Sequence, residues 1–426
     1  MSGLVGVSGG PYSIAAVFDD LQAYAGDLRR GSASLLEQGA VASRAVWDPA
    51  MMTADLLDPL GAMNVAAEAM AVGVAVAAAE ALATQLATSL TAAATAYRAV
   101  DETQRRLTEV YDAARNLPAT AWELGHGDWS EAIAADPALT GVGVDGLSML
   151  LTRATGGLVV GVPAGAAVFG RLYQDGQPKV TANPGAPTAD RNGPPRGAKD
   201  LIAGLAVRGR HDAGGGAIDV RTLSSHDAAG RPVKAAIVDI TGTTRWNGPA
   251  GRNAQVSDLG TNFKAMANEP SSYGRGVVEA MKRAGVGPND PVMIVGHSQG
   301  GMVGAQLASE LSKSKQFNVT HLVTAGSPIS LATVPSSVKT LSLENAHDFV
   351  PHLDGVGNPA HKNWITAEID EGSHDCDSQH SLDSYEKGAA AVDASDDVNL
   401  ESWRQDASVF LNADSVRTEV FQVRRQ

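Results

Sequence analysis

The chain has 426 residues, more than one ordinary core holds, and 44% of them are hydrophobic, so more than one unit with a substantial interior is expected. A formal net charge of −14 excludes a surface built to neutralise phosphates, and nucleic acid is not an expected partner. The single cysteine, Cys376, excludes an internal disulfide and a cysteine-built zinc site, and neither a metal nor a cofactor is expected.

The first residues, MSGLVGVSGGPYS, lack a basic stretch followed by a continuous apolar one, so a cleavable secretory signal is not expected and any export must use another route. From Pro11 to about Arg44, Ile14, Phe18, Leu21, Ala25, Leu28 and Leu35 recur at helical spacing and predict one helix with a single apolar stripe. Trp47-Asp48-Pro49 interrupts the run, and a second helical pattern extends from about Leu60 to Asn116. On it, Leu82, Leu86, Leu90, Ala93, Tyr97 and Val100 are expected on one side, with many alanines allowing close approach of a partner helix. Residues 1–120 therefore read as an all-α helical hairpin domain.

Between Leu117 and Arg196 the composition shifts to Gly and Pro, so 121–197 reads as a connecting segment and 176–197 as a linker or surface excursion. The apolar stretch 154–170 is broken by Pro163 and too short for a spanning helix, and is expected to be buried or interfacial. Residues 198–426 alternate short β-rich runs with helices: AIDVRTL, PVKAAIVDI, a helix near 272–285, PVMIVG, a helix near 299–312, VTHLVTA, VKTLSLE and NWITAEID, read as the last strand. That alternation predicts an α/β domain whose mostly parallel sheet is flanked by helices. NLESWRQDASVFL is expected to pack on it as a helix, and the remaining tail carries little pattern.

Chemistry concentrates in PVMIVGHSQGGMVGAQLASEL, where an apolar strand runs into Gly296-His297-Ser298-Gln299-Gly300 and then a helix opened by small residues. A sharp strand-to-helix turn presents a serine above the sheet only if the flanking positions lack side chains, which makes Ser298 the candidate nucleophile. The backbone N–H of Gln299, at the helix start, is a candidate oxyanion donor. A serine hydroxyl needs a histidine base oriented by a carboxylate, with chain order Ser, acid, His in this kind of fold. Asp348, in the loop after VKTLSL, is the candidate acid ahead of Glu344 and Asp354, and His380 is the candidate base ahead of His374 and His361. His297 is read as packing or support of the turn. The strand PVKAAIVDI ends in Gly242-Thr243-Thr244, so the backbone N–H of Thr243 is the candidate second oxyanion donor.

With ITGT, VGHSQGGMVGAQLA, TAGSP, NAHDFVPHLDG and HSLDSY, residues from about 230 to 390 resemble the lipase and esterase branch of the α/β-hydrolase superfamily. The resemblance implies hydrolysis of carboxylic esters, acyl lipids in particular, or acyl transfer by the same residues; the apolar, Gly-rich stretch 141–170 is read as covering the site, making peripheral membrane contact or packing in a core. The first 120 residues resemble the helical hairpins exported by type VII (ESX) systems of actinobacteria, and Tyr97-Arg98-Ala99-Val100-Asp101 fits their Y-x-x-x-D/E signal. That resemblance implies a hairpin partner or the type VII machinery as partner, and a secreted or envelope location, with a cytoplasmic one as the alternative. Trp47-Asp48-Pro49 departs from the Trp-x-Gly turn of many such hairpins. A non-catalytic, secretion-associated interaction protein is the reading from another class.

Overall fold

The computed structural model describes residues 3–45, 68, 71–92, 95, 166–167, 170–173, 175–212, 214–227, 229–245, 254–348, 350–354, 357–371 and 376–426. They fall into two compact units, one helical and lying within Ile14–Thr108, the other combining the first thirteen residues with the later chain.

The helical unit is a pair, α1 (Ile14–Ala45) and α2 (Ala71–Ala92). Contacts between Arg29 and Thr91 (2.8 Å) and between Ser32 and both Thr84 (2.9 Å) and Glu80 (3.1 Å) make the pair antiparallel. Leu21, Ala25, Leu28, Ser32 and Leu35 form the less exposed stripe of α1. On α2 the expected stripe is displaced: Leu82 and Leu86 are exposed, whereas Gly73, Val76, Ala83 and Ala87 lie on the covered side. Small residues win that position because they let the two backbones approach, and the Ser32–Glu80–Thr84 hydroxyl and carboxylate contacts use the space. By length and mean hydropathy (22 residues, 1.4) α2 is apolar enough to cross a membrane. Trp47-Asp48-Pro49, Tyr97, Asp101 and all of 121–165 lie outside the described residues.

The other unit is built on one nine-stranded sheet. Its strands are β1 (Gly3–Gly9), β2 (Pro178–Ala182), β3 (Ala217–His226), β4 (Pro232–Ile240), β5 (Pro291–His297), β6 (Asn318–Ala325), β7 (Lys339–Asn345), β8 (Trp364–Asp370) and β9 (Ser415–Arg425). The order across the sheet is β1-β8-β7-β6-β5-β4-β3-β9-β2. The strands from β4 to β8 are parallel, and the antiparallel β1, β3, β9 and β2 extend them on either side. The helices are α3 (Ala198–Arg210), α4 (Leu259–Met266), α5 (Ser272–Arg283), α6 (Gln299–Ser314), α7 (Cys376–Gln379), α8 (Leu382–Asp393), α9 (Val398–Asp406) and α10 (Ser408–Leu411). This is a mostly parallel central sheet flanked by helices, consistent with an α/β-hydrolase fold.

The central strands read as continuous apolar runs because both of their faces are covered. Val292 and Ile294 of β5 pack with Tyr273, Val277 and Met281 of α5, while Met293 and Val295 face Leu201, Ile202 and Leu205 of α3. Each such side chain, fully buried, stabilises the fold by about 1.5–3 kcal/mol. Under α3 the sheet buries two ion pairs, Arg208–Asp219 at 2.6 Å and Arg221–Asp239. Gly204 makes this possible, since a Cβ there would lie 2.5 Å from the Arg221 guanidinium. Losing one partner would strand a buried charge, at a cost of about 3–5 kcal/mol.

Three expectations are corrected. Residues 3–9 belong to the sheet, paired with β8, and not to the helical hairpin. Part of the presumed linker, Pro178–Ala182, is an edge strand: with a partner on one side only it needs little apolar content, and Val180 supplies it. The strand NWITAEID is not the last, because the tail forms β9 between β3 and β2.

His321 on β6 is buried edge-on against Phe410, ring centroids 5.2 Å apart. Burial, opposed by Asp406 and assisted by Lys339, lowers its pKa from 6.5 to about 4. The unfolded chain therefore takes up a proton that the folded one refuses, and stability is lost as pH falls from about 6.5 toward 4. His321→Phe is expected to lose less melting temperature than wild type between pH 7 and pH 5, measured by thermal denaturation; an unchanged pH slope would contradict this.

Candidate active site

Ser298 joins β5 to α6 with φ 52° and ψ −120°, in a region that side chains avoid and that costs about 1–3 kcal/mol to hold. The strain is enforced by crowding. A Cβ on Gly296 would lie 2.4 Å from the Gly300 carbonyl carbon, and one on Gly300 would lie 2.0 Å from the Ile240 carbonyl oxygen. The Ser298 N–H donates to the Ala325 carbonyl at 3.0 Å, which ties the turn to β6. The β4 and β5 ends meet closely, since a Cβ on Gly242 would sit 3.2 Å from that of Ser298.

Asp348 and His380 come together although 32 residues separate them: His380 Nδ1 and Asp348 Oδ2 are 2.6 Å apart. Asp348 is buried, and the same oxygen accepts from Tyr385 Oη at 2.7 Å while Oδ1 accepts from Val350 N at 2.9 Å. Burial raises the carboxyl's pKa, but the charge of His380 and the hydrogen bonds from His380, Tyr385 and Val350 outweigh it, so Asp348 stays below its usual range and ionised. Of the rival carboxylates, Glu344 accepts from Asn358 and Asp354 accepts from Ser330 N. His374 lies outside the described residues.

His380 is held from several directions. Ser381 caps α8 by accepting from Ser384 N at 3.2 Å, which stops the loop immediately after the histidine. Asn345 Nδ2 donates to the Gln379 carbonyl at 3.3 Å, just before it. His297 stacks on it with ring centroids 4.6 Å apart, and His297 Nε2 donates to the His380 carbonyl at 2.8 Å. Burial first, and neighbouring His380 second, push the pKa of His297 down to about 3, so it is a neutral donor at neutral pH. Its part in the site is to hold His380 rather than only to support the turn.

Ser298 follows His297, the residue packed on His380, and among the described residues its Oγ has no hydrogen-bond partner. The backbone amides of Gln299 and Thr243 have no acceptor among the described residues either. Both lie next to the serine, Gln299 as the first residue of α6 and Thr243 directly after Gly242. Free amides beside a serine are what stabilisation of a developing oxyanion requires. Among the described residues no group of His, Cys, Asp and Glu is arranged to hold a metal ion.

Two participants escaped the sequence reading. Tyr385 supports Asp348 from the first turn of α8, and HSLDSY carries it five residues after His380, the one available signal. Asn262 on α4 accepts from Gln299 Nε2 at 2.5 Å and from Thr243 Oγ1 at 3.0 Å. Nothing in its local sequence, LGTNFKAM, marks it.

Comparison with curated proteins and with solved structures gives no match. Ser298, Gln299, Asp348 and His380 fall inside the one matched segment, and Thr243 and Asn262 precede it. Residues 275–398 are similar to the family model described as the PGAP1-like alpha/beta domain, and the mostly parallel, helix-flanked sheet that contains them is consistent with an α/β-hydrolase fold.

Proposed function

We propose that the protein is a serine hydrolase that cleaves carboxylic esters, acyl lipids among them, through an acyl-enzyme at Ser298. The observation that carries this reading is one strained serine next in sequence to His297, which packs on a half-buried imidazole joined to a buried carboxylate, and two neighbouring backbone amides without acceptors among the described residues. In this mechanism Ser298 Oγ attacks the ester carbonyl and its proton passes to His380 Nε2, since Nδ1 is engaged by Asp348. The amides of Gln299 and Thr243 receive the oxyanion. Collapse expels the alcohol with the proton from His380, and a water activated by the same imidazole then releases the acid and restores Ser298.

An acyl substrate is supported by the similarity to a lipase/esterase-like family, and a small, mostly apolar pocket with Asn268 and Asp354 among its lining lies on the same domain beside Ala265, Met266, Met302, Pro328, Ile329 and Leu331. Met302, one of its lining residues, lies one turn into α6 from Ser298. For the helical pair we infer an addressing or partner-binding role through a type VII route, supported by the antiparallel pairing of α1 and α2. That role predicts that Tyr97→Ala accumulates inside cells that export the wild type, as read by immunoblotting of cell and medium fractions. Equal export of both would contradict it.

Fluorophosphonate labelling and hydrolysis of p-nitrophenyl esters of increasing chain length test the chemistry. Ser298→Ala is expected to lose labelling and at least about a thousandfold in kcat, and an acyl-lipid substrate predicts rates that rise beyond acetate. A folded wild type that neither labels nor turns over would favour the interaction-protein reading.

Asp348→Asn should retain the fold yet drop kcat by about 10⁴-fold, because the amide selects the wrong imidazole tautomer. Steady-state kinetics check this, and a loss below tenfold would remove Asp348 from the mechanism.

A further inference from the structure

Thr243 and Gln299 belong to separate segments, the loop after β4 and the start of α6. Among the described residues no hydrogen bond joins them directly, yet an oxyanion hole works only if its two amides keep one spacing. A third segment supplies the link. Asn262 is buried on α4, and its Oδ1 accepts from both Gln299 Nε2 (2.5 Å) and Thr243 Oγ1 (3.0 Å).

The orientation of the three groups is fixed by their neighbours. Gln299 Nε2 also meets the Asp258 carbonyl at 2.7 Å, and a carbonyl can only accept, so the amide nitrogen of Gln299 must lie there. Asn262 must then offer its oxygen, and the Thr243 hydroxyl must donate to it. The helix bearing Asn262 is itself held. Asp258 caps α4 by accepting from Thr261 N at 3.1 Å, and the Arg425 guanidinium donates to both oxygens of Asp258, at 2.6 and 2.9 Å. On its other side the β4 loop is held by Ser257, whose Oγ donates to the Gly242 carbonyl at 2.6 Å and whose carbonyl accepts from Thr244 N at 3.1 Å.

We propose that Asn262 is a positioning residue that sets the distance between the two oxyanion amides by gripping the side chains of both residues that carry them. This rests on the serine-hydrolase reading. Asn262 itself touches no reacting atom; its effect reaches the transition state through Thr243 and Gln299. An interaction used only in the transition state lowers kcat without raising KM when it is lost.

The test is steady-state kinetics on a p-nitrophenyl ester, with inhibition by an alkyl boronic acid, which forms a tetrahedral adduct on serine. Wild type, Ser298→Ala, Asn262→Ala, Thr243→Val, Thr243→Ser and the Asn262→Ala/Thr243→Val pair are compared. Asn262→Ala is expected to lose about tenfold to a hundredfold in kcat, less than deletion of a whole oxyanion donor, with KM within about twofold. Boronate affinity should fall by a similar factor. Thr243→Ser keeps the hydroxyl and should keep the rate, while Thr243→Val keeps the volume and should lose it. The double variant should be no slower than Asn262→Ala, because both changes break the same link.

Wild-type kcat in Asn262→Ala, additive losses in the double variant, or equal rates for Thr243→Ser and Thr243→Val would overturn the proposal. If Ser298→Ala is inactive in the same assay, the hydrolase reading survives that failure. If Asn262→Ala does not fold, the Thr243 pair decides alone. A wild type that neither turns over ester nor binds boronate overturns both readings together.

Discussion

Between β5 and α6 the backbone reverses within one residue, and the reversal is held by contact rather than by propensity. Ser298 sits at positive φ because Gly296 and Gly300 have backbone atoms where their Cβ atoms would be. The same close approach brings the β4 end against the serine and leaves the first amide of α6 open. The strained serine, the close β4 loop and the helix start beside it are thus consequences of one steric constraint, and the buried apolar faces of β4, β5 and α6 hold it in place.

Around that turn the rest of the site is assembled from distant segments by polar side chains. Asp348 stays charged although buried because His380, Tyr385 and a backbone amide all donate to it. His380 is held by its neighbours in sequence and by a neutral His297 that donates to its carbonyl. Toward one side of the sheet, Arg425 near the end of β9 grips Asp258, whose carbonyl accepts from Gln299. The C-terminal strand is therefore coupled to the oxyanion side of the site as well as to the sheet.

How much of this was legible in the sequence follows from the range of the interactions. The elbow and the central strands are local patterns, one of glycines around a serine and the other of continuous apolar runs, and both can be read directly. The positions of Asp348 and His380 followed from chain order and loop context, and the structure brings the two into contact. β9 and the edge strand β2 are hidden in the sequence because a strand with few apolar residues looks like a loop. SVRTEVFQVRR is rich in charge, and PKVTA buries little beyond Val180. On α2 the periodicity was right but the face was wrong, since leucine was assumed to seek the contact that alanine and glycine occupy. Asn262 has no local signal at all, because its partners lie 19 and 37 residues away and its contacts exist only in three dimensions.

The most direct measurement is a crystal structure of the protein after reaction with an alkyl fluorophosphonate, which traps the geometry of the first transition state. The account predicts phosphorus bonded to Ser298 Oγ, its oxygen accepting from the backbone amides of Gln299 and Thr243 at about 2.7–3.1 Å, and His380 still bonded to Asp348. An adduct on another residue, or a phosphoryl oxygen turned away from both amides, would contradict it.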